Sequence, residues 1–127
     1  MTGLRVEEIS KAYGRKKIID YVSFAVEQGR FCILLGPSGC GKTTILRIIA
    51  GLVRQDAGRI FIGGDDVSGR EPRDRDIAMV FQSYALYPHM SVYKNMAFPL
   101  AVRNTPAGQI EERVRRAAGM LDIEELL

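Results

Sequence analysis

Gly36-Pro37-Ser38-Gly39-Cys40-Gly41-Lys42-Thr43-Thr44 matches the pattern G-x-x-x-x-G-K-[ST] in full and adds a second threonine. A polyphosphate carries several negative charges that must be met without bulky side chains. Glycines let backbone N–H groups turn inward and approach the oxygens closely. A helix that starts at the lysine aims its free amides and its positive pole at the same point. Lys42 then places a point charge on the outer phosphates, and the Thr43 hydroxyl is a ligand for Mg²⁺. Gly36, Pro37, Ser38, Gly39, Cys40, Gly41, Lys42, Thr43 and Thr44 are therefore the candidate nucleotide-binding residues. Cys40 is read as a small filler with no chemistry of its own. The competing reading is a glycine-rich turn with an incidental lysine.

The flanks argue for the loop. Arg30-Phe31-Cys32-Ile33-Leu34-Leu35 is an unbroken apolar run, suited to a strand buried on both faces. Beyond the loop, Ile45, Leu46, Ile48 and Ile49 mark a helix from Lys42 to Ala50 that Gly51 terminates. Further out, Val6, Ile9 and Tyr13 belong to an extended segment ending at Gly14. Ile18 to Val26 alternates as a half-buried strand and turns at Glu27-Gln28-Gly29. Gly58 to Ile62 with Gly63-Gly64 reads as a short strand and turn, Arg70 to Asp76 as a charged loop, and Ile77 to Phe81 as another strand. The last third turns helical. Ser91 caps a helix from Val92 toward Leu100, which Pro99 should end or kink. Thr105-Pro106 reads as an N-cap with a first-turn proline. Ile110, Val114, Ala117, Ala118 and Leu121 follow at helical spacing, and Asp122 to Leu127 begins one more short helix.

Composition bounds the rest. A chain of 127 residues with 46% hydrophobic and 26% charged side chains is one ordinary globular domain, which excludes a disordered polypeptide. Its 18 Lys+Arg against 15 Asp+Glu leave a charge of only +3, scattered apart from Arg15-Lys16-Lys17, which argues against a nucleic-acid partner. Cys32, Cys40 and the lone His89 form neither a disulfide framework nor a zinc site. No stretch approaches the ~18 apolar residues that span a bilayer, and the N-terminus has no signal-peptide core.

Unlike many small phosphate-loop kinases and GTPases, this chain places 35 residues of β-type sequence before the loop. These include Ser10-Lys11-Ala12-Tyr13-Gly14. After the loop comes Val80-Phe81-Gln82-Ser83-Tyr84-Ala85-Leu86-Tyr87-Pro88-His89-Met90-Ser91-Val92, then Asn95-Met96-Ala97-Phe98. Over essentially its whole length the chain resembles the nucleotide-binding subunit of ABC transporters, in particular the importer ATPases of the maltose and glycerol-phosphate type. The resemblance implies an α/β fold: a P-loop NTPase core with an N-terminal antiparallel β portion and, from about residue 83 to 127, the start of a helical subdomain. It implies ATP and Mg²⁺ as cofactors, with Lys42 and Gln82 in catalytic roles. Tyr13 would stack on the adenine, the competing reading being a core tyrosine at a strand end. Gln82 would contact Mg²⁺ with Thr43 and place the attacking water, the competing reading being an ordinary polar residue after a strand.

The same resemblance implies a peripheral subunit on the cytoplasmic face of a membrane, paired with a second ATPase subunit and docked on transmembrane permease subunits. Tyr84, Leu86, Tyr87, His89 and Met90 are the expected permease contacts, unless they simply pack the helical subdomain. His89 is given no catalytic role. The signature motif, the catalytic Glu and the switch histidine of the family are not found. Asp20, Asp65, Asp66 and Asp122 are not convincing stand-ins for the metal-holding Asp. The chain is therefore expected to be the front part of such an ATPase, with an incomplete sheet, and unable to turn ATP over by itself. The alternative is a non-hydrolysing nucleotide-binding or interaction module that pairs with an intact ATPase subunit. A phosphate-loop kinase and a DNA-associated ATPase stand further behind.

Overall fold

A period-two strand would put Val6 and Ile9 on opposite faces of a sheet, yet both are buried. The computed structural model, which describes residues 2–127, shows how. Strand β1 (Thr2–Tyr13) pairs antiparallel with β2 (Lys16–Glu27), and Val6 faces Phe24 while Ile9 faces Val22. One extra residue therefore sits in β1 between those pairs. Glu8, at φ 47°, is the bulge. β2 carries a matching one between Val22 and Ile19, where Tyr21 has φ 50°. Both bulges return an odd-spaced apolar residue to the core.

On the other side of β1 lies β3 (Ala57–Ile62), followed by the two-residue β4 (Asp65–Asp66), giving an antiparallel order β2-β1-β3-β4. Gly58, at φ 91°, lies beside the β1 bulge. A Cβ there would come within 2.4 Å of the carbonyl oxygens of Glu7 and Glu8, so only glycine fits. Helix α1 (Lys42–Ala50) covers the sheet. Ile48 joins Val6, Ile9, Ile19, Ile60 and Val67 in the core, with Ile45 and Ile49 packed beside it.

Two expected strands are absent. Phe31 to Leu35 and Ile77 to Phe81 join no ladder, and Phe31, Leu35 and Val80 are each about nine-tenths exposed. An apolar strand of this kind is held by backbone bonds to strands on both sides, and among the described residues no strand pairs with either run. The sheet is incomplete, as expected. An apolar cleft of about 390 Å³ remains, lined by Leu4, Phe24, Val26, Leu34, Leu46 and Ile49 among others.

The chain forms two compact units, one ending at Met79 and the other spanning Val80–Leu127. The second holds α2 (Val92–Val102) and α3 (Ala107–Met120), with Val114 and Ala118 buried. Ser91 caps α2, its hydroxyl accepting from the Lys94 N–H at 3.2 Å. Pro99 does not end the helix, which runs on to Val102. The proline removes only the one backbone donor that would reach four residues back. The N-cap of α3 is Pro106 rather than Thr105, and the Pro106 carbonyl accepts from Gln109 and Ile110. Leu121, which continues the helical spacing in the sequence, lies past the helix and is exposed.

Candidate functional site

The loop ahead of α1 is built by local rules. Cys40 N–H donates to the Pro37 carbonyl at 3.3 Å, closing a turn, and Ile45 N–H donates to Gly41 at 2.9 Å, opening the helix. Gly41 is the N-cap at φ 102°. A Cβ on it would lie 2.6 Å from Ile19 Cδ1, so glycine is what lets the loop seat directly on β2. No side chain caps this helix end and no acid sits in its first turn. Its amides and positive pole are thus offered to an anion.

Lys42 folds back over the loop. Its ammonium donates to the carbonyl of Gly36, to that of Pro37 at 2.9 Å, and lies 3.8 Å from Cys40 Sγ. The cation is held above the loop by acceptors that a phosphate oxygen can replace at little cost, because a charge-assisted bond to an anion is the stronger one. Thr43 is exposed at the second helical position. A Cβ on Gly36 would meet Cys40 Sγ at 2.6 Å, so the cradle is tight at that position, whereas the space around Gly39 is open.

The far end of α1 is held by Arg75, in the charged stretch from Arg70 to Asp76. Arg75 is only 4% exposed. Its Nε donates to the Arg70 carbonyl at 2.8 Å, Nη1 to those of Ile48 and Ile49 at 3.0 Å each, and Nη2 to Ser68 at 3.3 Å. Burial pushes its pKa down and the Glu71 carboxylate works against that shift. The guanidinium thus caps the negative pole of the helix whose positive pole is the candidate site. Nothing in the sequence marked it out from the other arginines of the stretch from Arg70 to Asp76.

Tyr13 ends β1 in the same unit and is half exposed. The Lys11 ammonium lies 5.3 Å from its ring centroid. Gln82 belongs to the second unit, in an exposed turn. There Tyr84 and Ala85 adopt φ 63° and 40°, and Tyr84 and Leu86 are more than two-thirds exposed. Tyr87 packs on Phe98, centroids 5.0 Å apart, and meets His89 edge-on at 6.2 Å. The segment is pinned by Asn95, which the sequence shows only as part of the stretch that carries the resemblance. Its Oδ1 accepts from Tyr87 N–H at 2.8 Å, and its Nδ2 donates to the carbonyls of Tyr87, Met90 and Ser91 at 3.0–3.2 Å. Among the described residues no group of three His, Cys, Asp or Glu could hold a metal, and no helix is long and apolar enough to cross a membrane.

A glycine cradle, a lysine above it and a helix pole beneath it have the form of a phosphate-binding loop. The sequence profile of the ABC transporter family matches residues 19–127, and the chain belongs to that family. It is 52% identical to a trehalose/maltose import ATP-binding protein of Thermococcus litoralis, over all of this chain and 36% of that protein. It is 54% identical to an sn-glycerol-3-phosphate import ATP-binding protein of Rhodopseudomonas palustris, again over all of this chain and 36% of that one. The chain thus spans about a third of the length of these curated relatives. Among solved structures, a nucleotide-free ATP-binding cassette from an ABC transporter superposes with a TM-score of 0.80 at 26% identity, covering 99% of this chain and 56% of that one. A second ABC cassette gives 0.82 at 27%, with the same coverage.

Proposed function

We propose that these residues form the ATP-binding front of a transport ATPase that powers import of a sugar or glycerol-phosphate class solute. The observation that carries the reading is the Lys42 ammonium held over a glycine cradle at an uncapped helix start. The match to two import ATP-binding proteins supports the solute class. Gly36 to Thr44 would wrap the phosphates, Lys42 would neutralise their charge, and Tyr13 would take the adenine. A magnesium ion fits here. It keeps most of its water and needs few protein ligands when phosphate supplies the others, so the exposed Thr43 hydroxyl would serve as its protein ligand without a carboxylate cluster. Its chemistry would be to neutralise charge on the transferred phosphoryl group.

The cluster of Tyr84, Leu86, Tyr87, His89 and Met90 suits a permease surface at the cytoplasmic face of a membrane, with residues 83–127 as the start of a helical subdomain. A second ATPase subunit would close over the nucleotide. The general base is not among these residues. Calorimetric titration with Mg-ATP tests the reading. Lys42→Ala should weaken binding about 10- to 100-fold, the worth of one charged hydrogen bond. Unchanged affinity would overturn it.

A further inference from the structure

β1 outruns its neighbour on one side. Its pairing with β3 ends at Ser10 opposite Ala57, so Lys11, Ala12 and Tyr13 project past that ladder. Asp56, the residue just before β3, takes over where the strand stops. Its backbone N–H donates to the Ser10 carbonyl at 2.8 Å. Its Oδ2 accepts from Ala12 N–H at 2.7 Å, and its Oδ1 accepts from the Lys11 ammonium at 3.3 Å. That ammonium is the one lying 5.3 Å from the centre of the Tyr13 ring. The Lys11 side chain is only 16% exposed, whereas the Tyr13 ring is half exposed.

We infer that Asp56 is a positioning residue for base recognition: it locks the backbone before Tyr13 and sets Lys11 against one face of the ring, leaving the other face for a purine. The inference rests on reading Tyr13 as the adenine platform. A ring fixed before binding loses little freedom when the base arrives. The cation sits on one side of a flat π-system and a base can take the other. Asp56 has no path to the phosphates in this scheme, so its effect must be confined to ligands that carry a base.

The experiment compares Mg-ATP with Mg-tripolyphosphate, which has the phosphates and no base, by calorimetric titration of the full-length protein. Tyr13→Ala should weaken ATP binding about tenfold, the worth of one stacked base. Asp56→Ala should cost about three- to tenfold, and Lys11→Met, which leaves the Ala12 hydrogen bond intact, about two- to fivefold. Neither should change tripolyphosphate affinity. In the Tyr13→Ala background, Asp56→Ala should cost nothing more. If Tyr13→Ala weakens ATP but Asp56→Ala and Lys11→Met do not, the inference is wrong and the platform reading survives. Losses of ATP and tripolyphosphate in parallel, or additive losses in the double variant, also overturn it by showing a general structural effect. If Tyr13→Ala leaves ATP affinity unchanged, the platform reading falls and the inference with it. Should Asp56→Ala not fold, Lys11→Met decides alone by the same ATP-against-tripolyphosphate comparison.

Discussion

Replacing Arg75 with methionine keeps the length of the side chain and removes every donor. Four carbonyls lose a bond. Two of them retain another: Ile48 is also reached by Gly51 N–H, and Ser68 by Gln55 Nε2. The Ile49 and Arg70 carbonyls lose their guanidinium donor. An acceptor stranded away from water costs about 1–3 kcal/mol, and because both of these bonds are part-buried the lower half of that range applies, about 2–4 for the pair. Relief from holding a charge out of water offsets part of that. The expected net loss is about 2 kcal/mol, a large share of the roughly 5–15 that holds a domain together. Urea unfolding followed by circular dichroism should show the midpoint fall by about 1–2 M with an unchanged slope. Arg75→Lys should recover less than half, because an ammonium cannot reproduce the planar fork that spans four carbonyls. Amide exchange in α1 should accelerate most in its last turn. A loss below about 0.5 kcal/mol for Arg75→Met would refute the reasoning, since surface changes without structural consequence fall in that range.

Gly58→Ala forces a Cβ within 2.4 Å of two backbone oxygens at a positive φ and should cost about 3 kcal/mol or more in thermal unfolding. Gly63→Ala, at φ 59° with open space around it, should cost only about 1 kcal/mol. Equal effects would show that the bulge contact is unimportant. Asn95→Asp should loosen residues 87–91 more than Asn95→Ala, because a carboxylate would face three carbonyl oxygens. Limited proteolysis in that segment should rank the variants Asp, Ala, wild type from fastest to slowest. The Ala12 N–H, and secondarily Lys11, holds the Asp56 carboxyl below its ordinary pKa. The bond's contribution is therefore complete above about 4, the unfolded value, and is lost as pH falls through the depressed folded one. An NMR titration of the Ala12 amide should show its midpoint below about 3.9. A midpoint at or above that value would contradict the assignment.

Elements whose signal is local were legible. Helix α1 runs from Lys42 to Ala50, bounded at each end by a left-handed glycine, because Gly41 and Gly51 are the residues that take that conformation without strain. Residues 22 to 26 alternate between half-buried and exposed, as the pattern of Val22, Phe24 and Val26 indicates. The bulges were not legible, since Glu8 and Tyr21 are not residues that announce a positive φ. Phe31 to Leu35 was misread for a different reason. Its composition describes the environment of a complete sheet, and strand formation depends on neighbours that these residues do not include. Within the candidate site, the motif showed which residues meet phosphate. It could not show Asp56, Arg75 or Asn95. Asp56 and Arg75 lie in loops and Asn95 in the first turn of α2; their partners are mostly backbone groups brought near by the fold, and a polar residue in such a place ordinarily reads as solvated.

The bulges at Glu8 and Tyr21 also determine where this hairpin can change length. Each adds one residue to its own strand, on opposite sides of the Ile9–Val22 pair. Removing Glu8 would leave Val6 and Ile9 two positions apart, still on one face, and would straighten the strand beside Gly58. Removing Tyr21 would do the same for Ile19 and Val22. Removing Ser23 instead would put Val22 and Phe24 on opposite faces and turn one end of β2 out of the core. Gains and losses of single residues among natural versions of this hairpin are thus expected to collect at these two bulges and at the register shifts between Thr2 and Leu4 and between Lys11 and Ala12, where the chain carries slack that the regular ladder does not.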